Sequence, residues 1–70
     1  MTITEKSHTN NNYYITCNIE TNGTTEFYRV QVCPIISKNL CGYPIRKITY
    51  SINEKEKAYN TFKRYIKKYI

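Results

Sequence analysis

The strongest constraint on the fold is a pair of alternating segments on either side of Asn22-Gly23. Apolar side chains occupy every second position in residues 13–20, and residues 25–33 repeat this alternation. A period of two places the apolar side chains on one face of a β-strand. Asn-Gly accepts the positive φ angles of a type I′ turn, which joins two antiparallel strands. The pattern therefore predicts a β-hairpin with one apolar face.

A third strand is predicted after an irregular connection. Pro34 is expected to end the second strand, because proline has no N–H to donate to a strand ladder. Residues 34–42 mix Pro, Ser, Asn and Gly, which is typical of a connection. Residues 43–52 alternate again, with Pro44 restricting their start to a sheet edge or a bulge.

The last segment of the chain has the periodicity of an amphipathic helix. Asn53 and Glu56 have the spacing of a capping box, so the helix is expected to begin at Glu54. At about 100° per residue, the apolar and basic side chains separate onto opposite sides. The apolar stripe consists of Ala58, Tyr59, Phe62, Tyr65, Ile66, Tyr69 and Ile70.

An apolar sheet face and an apolar helix stripe bury each other when the helix lies across the sheet. We therefore predict an α+β fold, in which a three-stranded antiparallel sheet, formed by the hairpin and the third strand, packs on one C-terminal helix. This single domain is expected to span residues 13–70. Residues 1–12 are polar, with Ile3 the only large apolar residue after Met1, so they predict a flexible N-terminal arm.

The composition argues against catalysis. The chain contains no Asp and a single His, so a Ser-His-Asp relay cannot be assembled. Cys17, Cys33 and Cys41 lack the C-x-x-C spacing of structural zinc sites. We expect no enzymatic activity, no metal and no cofactor. Residues 1–12 lack the apolar stretch of a secretory signal, and the apolar runs are far shorter than the roughly 18 residues of a membrane span, so we expect a cytoplasmic protein without a membrane partner.

Positive charge is concentrated in the second half of the chain. Residues 36–70 hold nine of the eleven Lys and Arg residues and two of the five Glu residues, and the net charge of the chain is +6. This imbalance favours an anionic partner through electrostatic steering. One candidate binding surface is the polar side of the predicted helix: Lys57, Lys63, Arg64, Lys67 and Lys68. The alternative is a solvated face that keeps a small protein soluble.

A second candidate surface is the sheet face turned away from the helix. Aromatic and basic side chains alternate on it: Tyr14, Phe27, Arg29 and Lys47. Aromatic rings can stack on bases while cations hold phosphates. One alternative is that this face contacts a protein. Another is that these residues are good strand formers that make cross-strand pairs.

The order of elements over about Tyr13 to Tyr69 resembles that of arm-type DNA-binding domains, and of double-stranded-RNA-binding domains without their first helix. This likeness of element order assigns no residue a role. A short chain rich in Asn, Ile, Lys and Tyr also looks like the small inhibitors encoded by viruses and mobile elements, which act by occupying a partner's surface.

These observations predict a non-enzymatic small basic binding module. Its expected partner is nucleic acid or an acidic surface of a nucleic-acid-handling protein. The alternative is a virus- or mobile-element-encoded inhibitor that blocks a host protein, such as a defence nuclease, by surface occupation. A homodimer is compatible with either function.

Overall fold

The structure is a computed structural model that describes residues 2–38 and 40–69. Met1, Asn39 and Ile70 lie outside the described residues. The predicted arm, connection and helix each include one of these three residues, and that part of each prediction lies outside the described residues as well. The elements, in chain order, are β1 (Thr2–Thr9), β2 (Tyr13–Asn22), β3 (Thr25–Ser37), β4 (Leu40–Cys41), β5 (Arg46–Ser51) and α1 (Lys55–Lys68).

All strand pairs are antiparallel, and β3 is the centre of the sheet. β2 pairs with one edge of β3, and β1 pairs with the far edge of β2. β5 and β4 pair with successive parts of the other edge of β3. The helix packs on β2, β3 and β5. The predicted α+β class, with a hairpin, a third strand and one C-terminal helix, is confirmed, and the sheet is wider than predicted.

The hairpin turn differs from the predicted type. Asn22 pairs with Thr25, so the loop consists of Gly23 and Thr24. Gly23 has a φ of +66°, and none of the described residues that are not glycine has a positive φ. A positive φ at the first central residue alone is the signature of a type II′ turn, whereas type I′ needs it at both. Glycine supplies that angle without a steric cost.

Pro34 does not end the second strand of the hairpin, because β3 continues to Ser37. The Val32 carbonyl accepts a hydrogen bond from the Ile45 N–H at 2.9 Å, and the Pro34 carbonyl accepts one from the Gly42 N–H at 2.8 Å. The two accepting carbonyls are two residues apart on β3, whereas the two donating N–H groups are three residues apart on the segment that faces it. The facing segment therefore holds one extra residue, which is the geometry of a β-bulge. Pro34 has no N–H to donate. Because Pro34 lies opposite the gap between β4 and β5, this missing donor leaves no strand partner unpaired.

The segment predicted as a flexible arm instead contains β1. Its pairing with β2 runs from Thr2 opposite Glu20 to Thr9 opposite Tyr14, with an irregularity between Thr4 and Lys6. Nearly all β1 side chains are exposed. The strand is therefore held by main-chain hydrogen bonds, which a polar sequence makes as well as an apolar one.

The helix begins at Lys55, one residue later than predicted, and the predicted capping box is wrong. The N-cap residue is Glu54, and its side chain accepts no capping hydrogen bond from a main-chain N–H of the first turn. Glu54 donates its N–H to the Ser51 carbonyl at 2.9 Å and accepts the Ser51 N–H on Oε1 at 3.2 Å. This reciprocal turn closes the connection from β5 and places Asn53 outside the cap position.

The core lies between the helix and the sheet. Its fully or almost fully buried residues are Ile15, Cys17, Tyr28, Val30, Val32, Ala58 and Phe62. These residues alternate along β2 and β3 and recur at helical spacing along α1, as their sequence pattern predicts. The Tyr50 hydroxyl lies 2.6 Å from Thr61 Oγ1, so the interface also contains a partly buried polar contact between β5 and the helix.

The structure predicts a clear contrast between two isoleucines. Ile15 is 0% exposed and Ile3 is 47% exposed. We expect Ile15→Val to lower the free energy of unfolding by about 0.5–1.5 kcal/mol, because it leaves a cavity in a packed core. The matched control Ile3→Val should change it by less than about 0.5 kcal/mol. Urea unfolding followed by circular dichroism measures both, and equal effects would contradict this core.

Candidate functional site

Tyr69 fixes the end of the helix against the sheet. The Asn10 side-chain amide donates a hydrogen bond to the Tyr69 carbonyl at 2.8 Å, and Arg46 Nε donates to the Tyr69 hydroxyl at 3.2 Å. The Tyr69 ring meets the rings of Tyr13 and Tyr65 edge-on, at 5.2 and 5.9 Å between centroids. The last turns of α1 are therefore held in one orientation relative to the sheet.

Asn10 also shapes the connection between β1 and β2. Its side-chain oxygen accepts hydrogen bonds from the N–H groups of Asn12 and Tyr13, at 2.9 and 2.8 Å. One asparagine side chain thus closes a turn and binds the carbonyl of Tyr69 at the helix end. This is a common use of asparagine, whose short side chain pairs readily with nearby main-chain groups.

The anchored helix end carries a group of exposed cations, which we call the basic end. It consists of Lys63, Arg64, Lys67 and Lys68 on α1, together with Arg46 on β5 beside Tyr69. Within residues 2–38 and 40–69, the ion pairs are Arg29–Glu20 and Lys57–Glu54, so no member of the basic end is paired with a carboxylate. The positive charge of this surface is therefore open to solvent.

Helix stability alone does not account for the basic end. Lys67 and Lys68 lie in the last turn, where a cation gains about 0.3–1 kcal/mol from the helix dipole. Lys63 and Arg64 lie a turn earlier, where this effect has largely decayed. Each is also four residues from another cation, a spacing that costs about 0.2–0.5 kcal/mol per like-charged pair.

Lys57, the first residue of the predicted helix face, stands apart from the other four. Its Nζ lies 2.9 Å from Glu54 Oε2. The hydrogen bond from Lys57 lowers the pKa of Glu54, and the same bond raises the pKa of Lys57. Six residues of helix, or about 9 Å along its axis, separate Lys57 from Lys63. The structure therefore brings together four of the five predicted helix cations and adds Arg46.

The predicted sheet-face residues lie on the face turned away from the helix, but Arg29 is already engaged there. Its Nη1 lies 2.7 Å from Glu20 Oε2. Its guanidinium carbon also lies 5.5 Å from the centroid of the Phe27 ring. Arg29 was predicted to contact bases or sugars, and its side chain is instead already held by an ion pair and an aromatic contact.

The remaining sheet-face residues are spread along the sheet. Tyr14 pairs with Cys33, which lies six residues from Phe27 along β3. At about 3.3 Å per residue, the two rings are about 20 Å apart along the strand direction. Lys47 pairs with Gln31 between them and is exposed. Tyr14, Phe27, Arg29 and Lys47 thus share a face without forming one compact stacking site.

Sequence reasoning missed Asn10, Arg46 and Tyr69 as a unit. Arg46 is in phase with Ile48 and Tyr50, which pack on the helix side of the sheet, so the alternation contained a signal for its position. Asn10 carried no such signal, because its partner Tyr69 is 59 residues away.

The two buried thiols, Cys17 and Cys33, are poorly suited to nucleophilic chemistry. Burial raises the pKa of Cys17, and the nearby Glu5 raises it further. Burial also raises the pKa of Cys33, with a smaller contribution from Cys41. Because the thiolate is the nucleophile, a raised pKa lowers the reactive fraction at neutral pH. In the described part of the chain, no three His, Cys, Asp or Glu side chains come together as a metal site.

Comparison of the chain with known protein families, with curated proteins and with solved structures finds no match. In the described residues, no helix is long and apolar enough to cross a membrane.

The anchoring role of Asn10 predicts a measurable loss of stability. We expect Asn10→Ala to lower the free energy of unfolding by about 1–3 kcal/mol, because the Tyr69 carbonyl and two main-chain N–H groups lose a partner. The matched control is Asn11→Ala, at an exposed neighbouring position, which should stay within about 0.5 kcal/mol. Urea unfolding measures both variants. A loss no larger than that of the control would show that Asn10 does not anchor the helix.

Proposed function

We propose that this protein is a small non-enzymatic binding module that holds the phosphate backbone of nucleic acid with its basic end. The observation that supports this function is a group of five exposed cations, carried by an anchored helix end and the adjacent strand, for which residues 2–38 and 40–69 supply no carboxylate partner. Pre-positioned cations release counterions from nucleic acid when they bind, and this release supplies much of the affinity. The three free cysteines suit a reducing compartment such as the cytoplasm.

The composition of the basic end favours phosphates over a protein surface. Three of its five members are lysines. Lysine is depleted in protein–protein interfaces, whereas it binds phosphates well as a point charge. Lys63 and Lys67 are about 6 Å apart along the helix axis, close to twice the roughly 3.4 Å rise between phosphates of one DNA strand. A row of such cations can follow a phosphate chain.

The salt dependence of binding tests this function. If all five cations neutralise phosphates, a plot of log K against log salt on duplex DNA should have a slope of about −4.5. Fluorescence anisotropy with labelled duplex DNA, single-stranded DNA and duplex RNA, between about 50 and 200 mM salt, measures the slope. Binding that stays feeble on every strand type at the lowest salt concentration would contradict the proposal.

A charge-matched pair of variants locates the surface. We expect Lys63→Gln/Lys67→Gln to reduce the slope on duplex DNA by about 1.8, because two phosphate contacts are lost. The control Lys55→Gln/Lys57→Gln removes the same charge from the start of the same helix and should change the slope much less. Circular dichroism verifies that both variants fold. Equal losses in the two variants would show that net charge, and not the basic end, drives binding.

A second candidate function is an inhibitor, of the kind that viruses and mobile elements encode, which blocks a nucleic-acid-handling protein of a host by occupying its surface. One observation favours it. Large exposed apolar side chains cluster between residues 36 and 45, and such side chains do not contribute to binding a phosphate chain. Tight binding to an acidic host protein with little affinity for any nucleic acid would favour this function over the first.

A further inference from the structure

Exposed apolar side chains are concentrated at the end of the sheet where β3 turns into β4. Among the described residues, six large apolar side chains are exposed, and four of them lie between residues 36 and 45. These four are Ile36 (66% exposed), Leu40 (56%), Tyr43 (93%) and Ile45 (49%). Single exposed apolar residues are ordinary, but a cluster of them marks an interaction site.

The same region is concave. Two depressions of about 230 and 390 Å³ lie on either side of Leu40 and Cys41, which line both. Tyr14 and Ile35 line the smaller depression, and Tyr43 lines the larger. We call the two depressions together the hairpin cleft. Their walls expose mostly apolar surface.

The size of the hairpin cleft fits side chains rather than a cofactor. Sites for small molecules are commonly about 300–1,000 Å³. The smaller depression is below this range, and the larger one, at about 390 Å³, is near its lower limit. Two neighbouring depressions of this size are suited to two apolar side chains of one extended or helical segment.

The charge around the cleft specifies the rest of the partner. No acidic residue occurs between Glu26 and Glu54 in the sequence. Lys38 lines the smaller depression, and Lys47 is exposed two residues after Ile45. A second copy of this chain would bring these cations and its own net charge of +6 against the same charges, so charge complementarity favours an acidic partner.

We propose that the hairpin cleft binds a short acidic segment of a partner protein. Two apolar side chains of that segment fill the depressions beside Leu40, and its carboxylates face Lys38 and Lys47. Tyr43 supplies a large, rigid surface of the kind that carries much of the affinity at protein interfaces. The cleft shares no residue with the basic end, so this proposal extends beyond nucleic-acid binding and either can fail without the other.

Selection from a random 12-residue peptide library tests the proposal without a known partner. The wild-type chain is the target, and the double variant Leu40→Ser/Tyr43→Ser is used to remove peptides that bind elsewhere. Enriched peptides should carry two apolar anchors among Asp and Glu residues. The double variant should bind them at least about tenfold more weakly, because such anchors dominate interface affinity. No enrichment, or enrichment of peptides without acidic residues, would overturn the proposal.

Controls separate loss of the cleft from loss of the fold. Ile3→Ser changes an exposed isoleucine on β1, far along the chain from the cleft, and should bind the selected peptides like wild type. The double variant should keep the wild-type circular dichroism spectrum and its affinity for duplex DNA. In two-dimensional nitrogen–proton NMR spectra, the peptide should shift the amides of Ile36, Leu40 and Tyr43. Shifts confined to Lys63, Arg64, Lys67 and Lys68 would place the acidic peptide on the basic end and overturn the proposal.

Two other occupants of an apolar, basic surface are tested directly. The wild-type chain should not co-sediment with vesicles that contain phosphatidylserine. If it does co-sediment, and the double variant does not, the cleft binds a lipid surface. Light scattering should give a monomer mass at every concentration. A dimer that the double variant abolishes would assign the cleft to a second copy of the chain. Either result would overturn the proposal.

Discussion

The pairing and packing of β3 hold the whole structure together. Its main chain pairs with β2 on one edge and with β4 and β5 on the other, so four of the five strands meet at this element. Its side chains Tyr28, Val30 and Val32 form the centre of the surface that the helix covers. A chain of 70 residues buries a small core, which rarely supplies more than about 3–5 kcal/mol. Little stability therefore remains if this strand is disturbed.

The length of β3 explains why an exposed apolar surface exists. Up to Val32 its core-facing side chains are covered by the helix, whereas the continuation past Pro34 pairs with the two-residue strand β4. The apolar residues of these two paired segments gain a partner strand but no covering layer, so Ile36 on β3 and Leu40 on β4 remain exposed. At the opposite side of the same sheet, the helix end is anchored through Tyr69, and its cations are turned to solvent. The strand thus fixes the position of the apolar surface, whereas Asn10, Tyr13 and Arg46, all outside β3, fix the position of the basic end.

Local periodicity accounts for the parts of the fold and the site that the sequence predicts. The alternation in residues 13–33, and the helical spacing after Lys55, depend only on neighbours a few positions apart. The cations from Lys63 to Lys68 follow from the same spacing. The pairing of Lys57 with Glu54 was open to prediction too, because the two residues are three positions apart on one helix. Features that depend on register or on distant partners were beyond reach: the pairing of β1, the bulge opposite Pro34, the Arg29–Glu20 ion pair and the Asn10–Tyr69 bond.

The two surfaces are chemically different but close in the chain. Ile45 belongs to the exposed apolar cluster, and the next residue, Arg46, donates its hydrogen bond to Tyr69 at the basic end. An acidic segment in the hairpin cleft would bring its carboxylates to Lys38 and Lys47, and Lys47 is adjacent to Arg46 in β5. Neighbouring residues of a strand point to opposite faces of the sheet, so Arg46 lies on the helix side and Lys47 on the other face. The sheet therefore stands between the cation proposed to meet phosphate and the cation proposed to meet the acidic segment. This separation is the structural reason why either proposal can fail without the other.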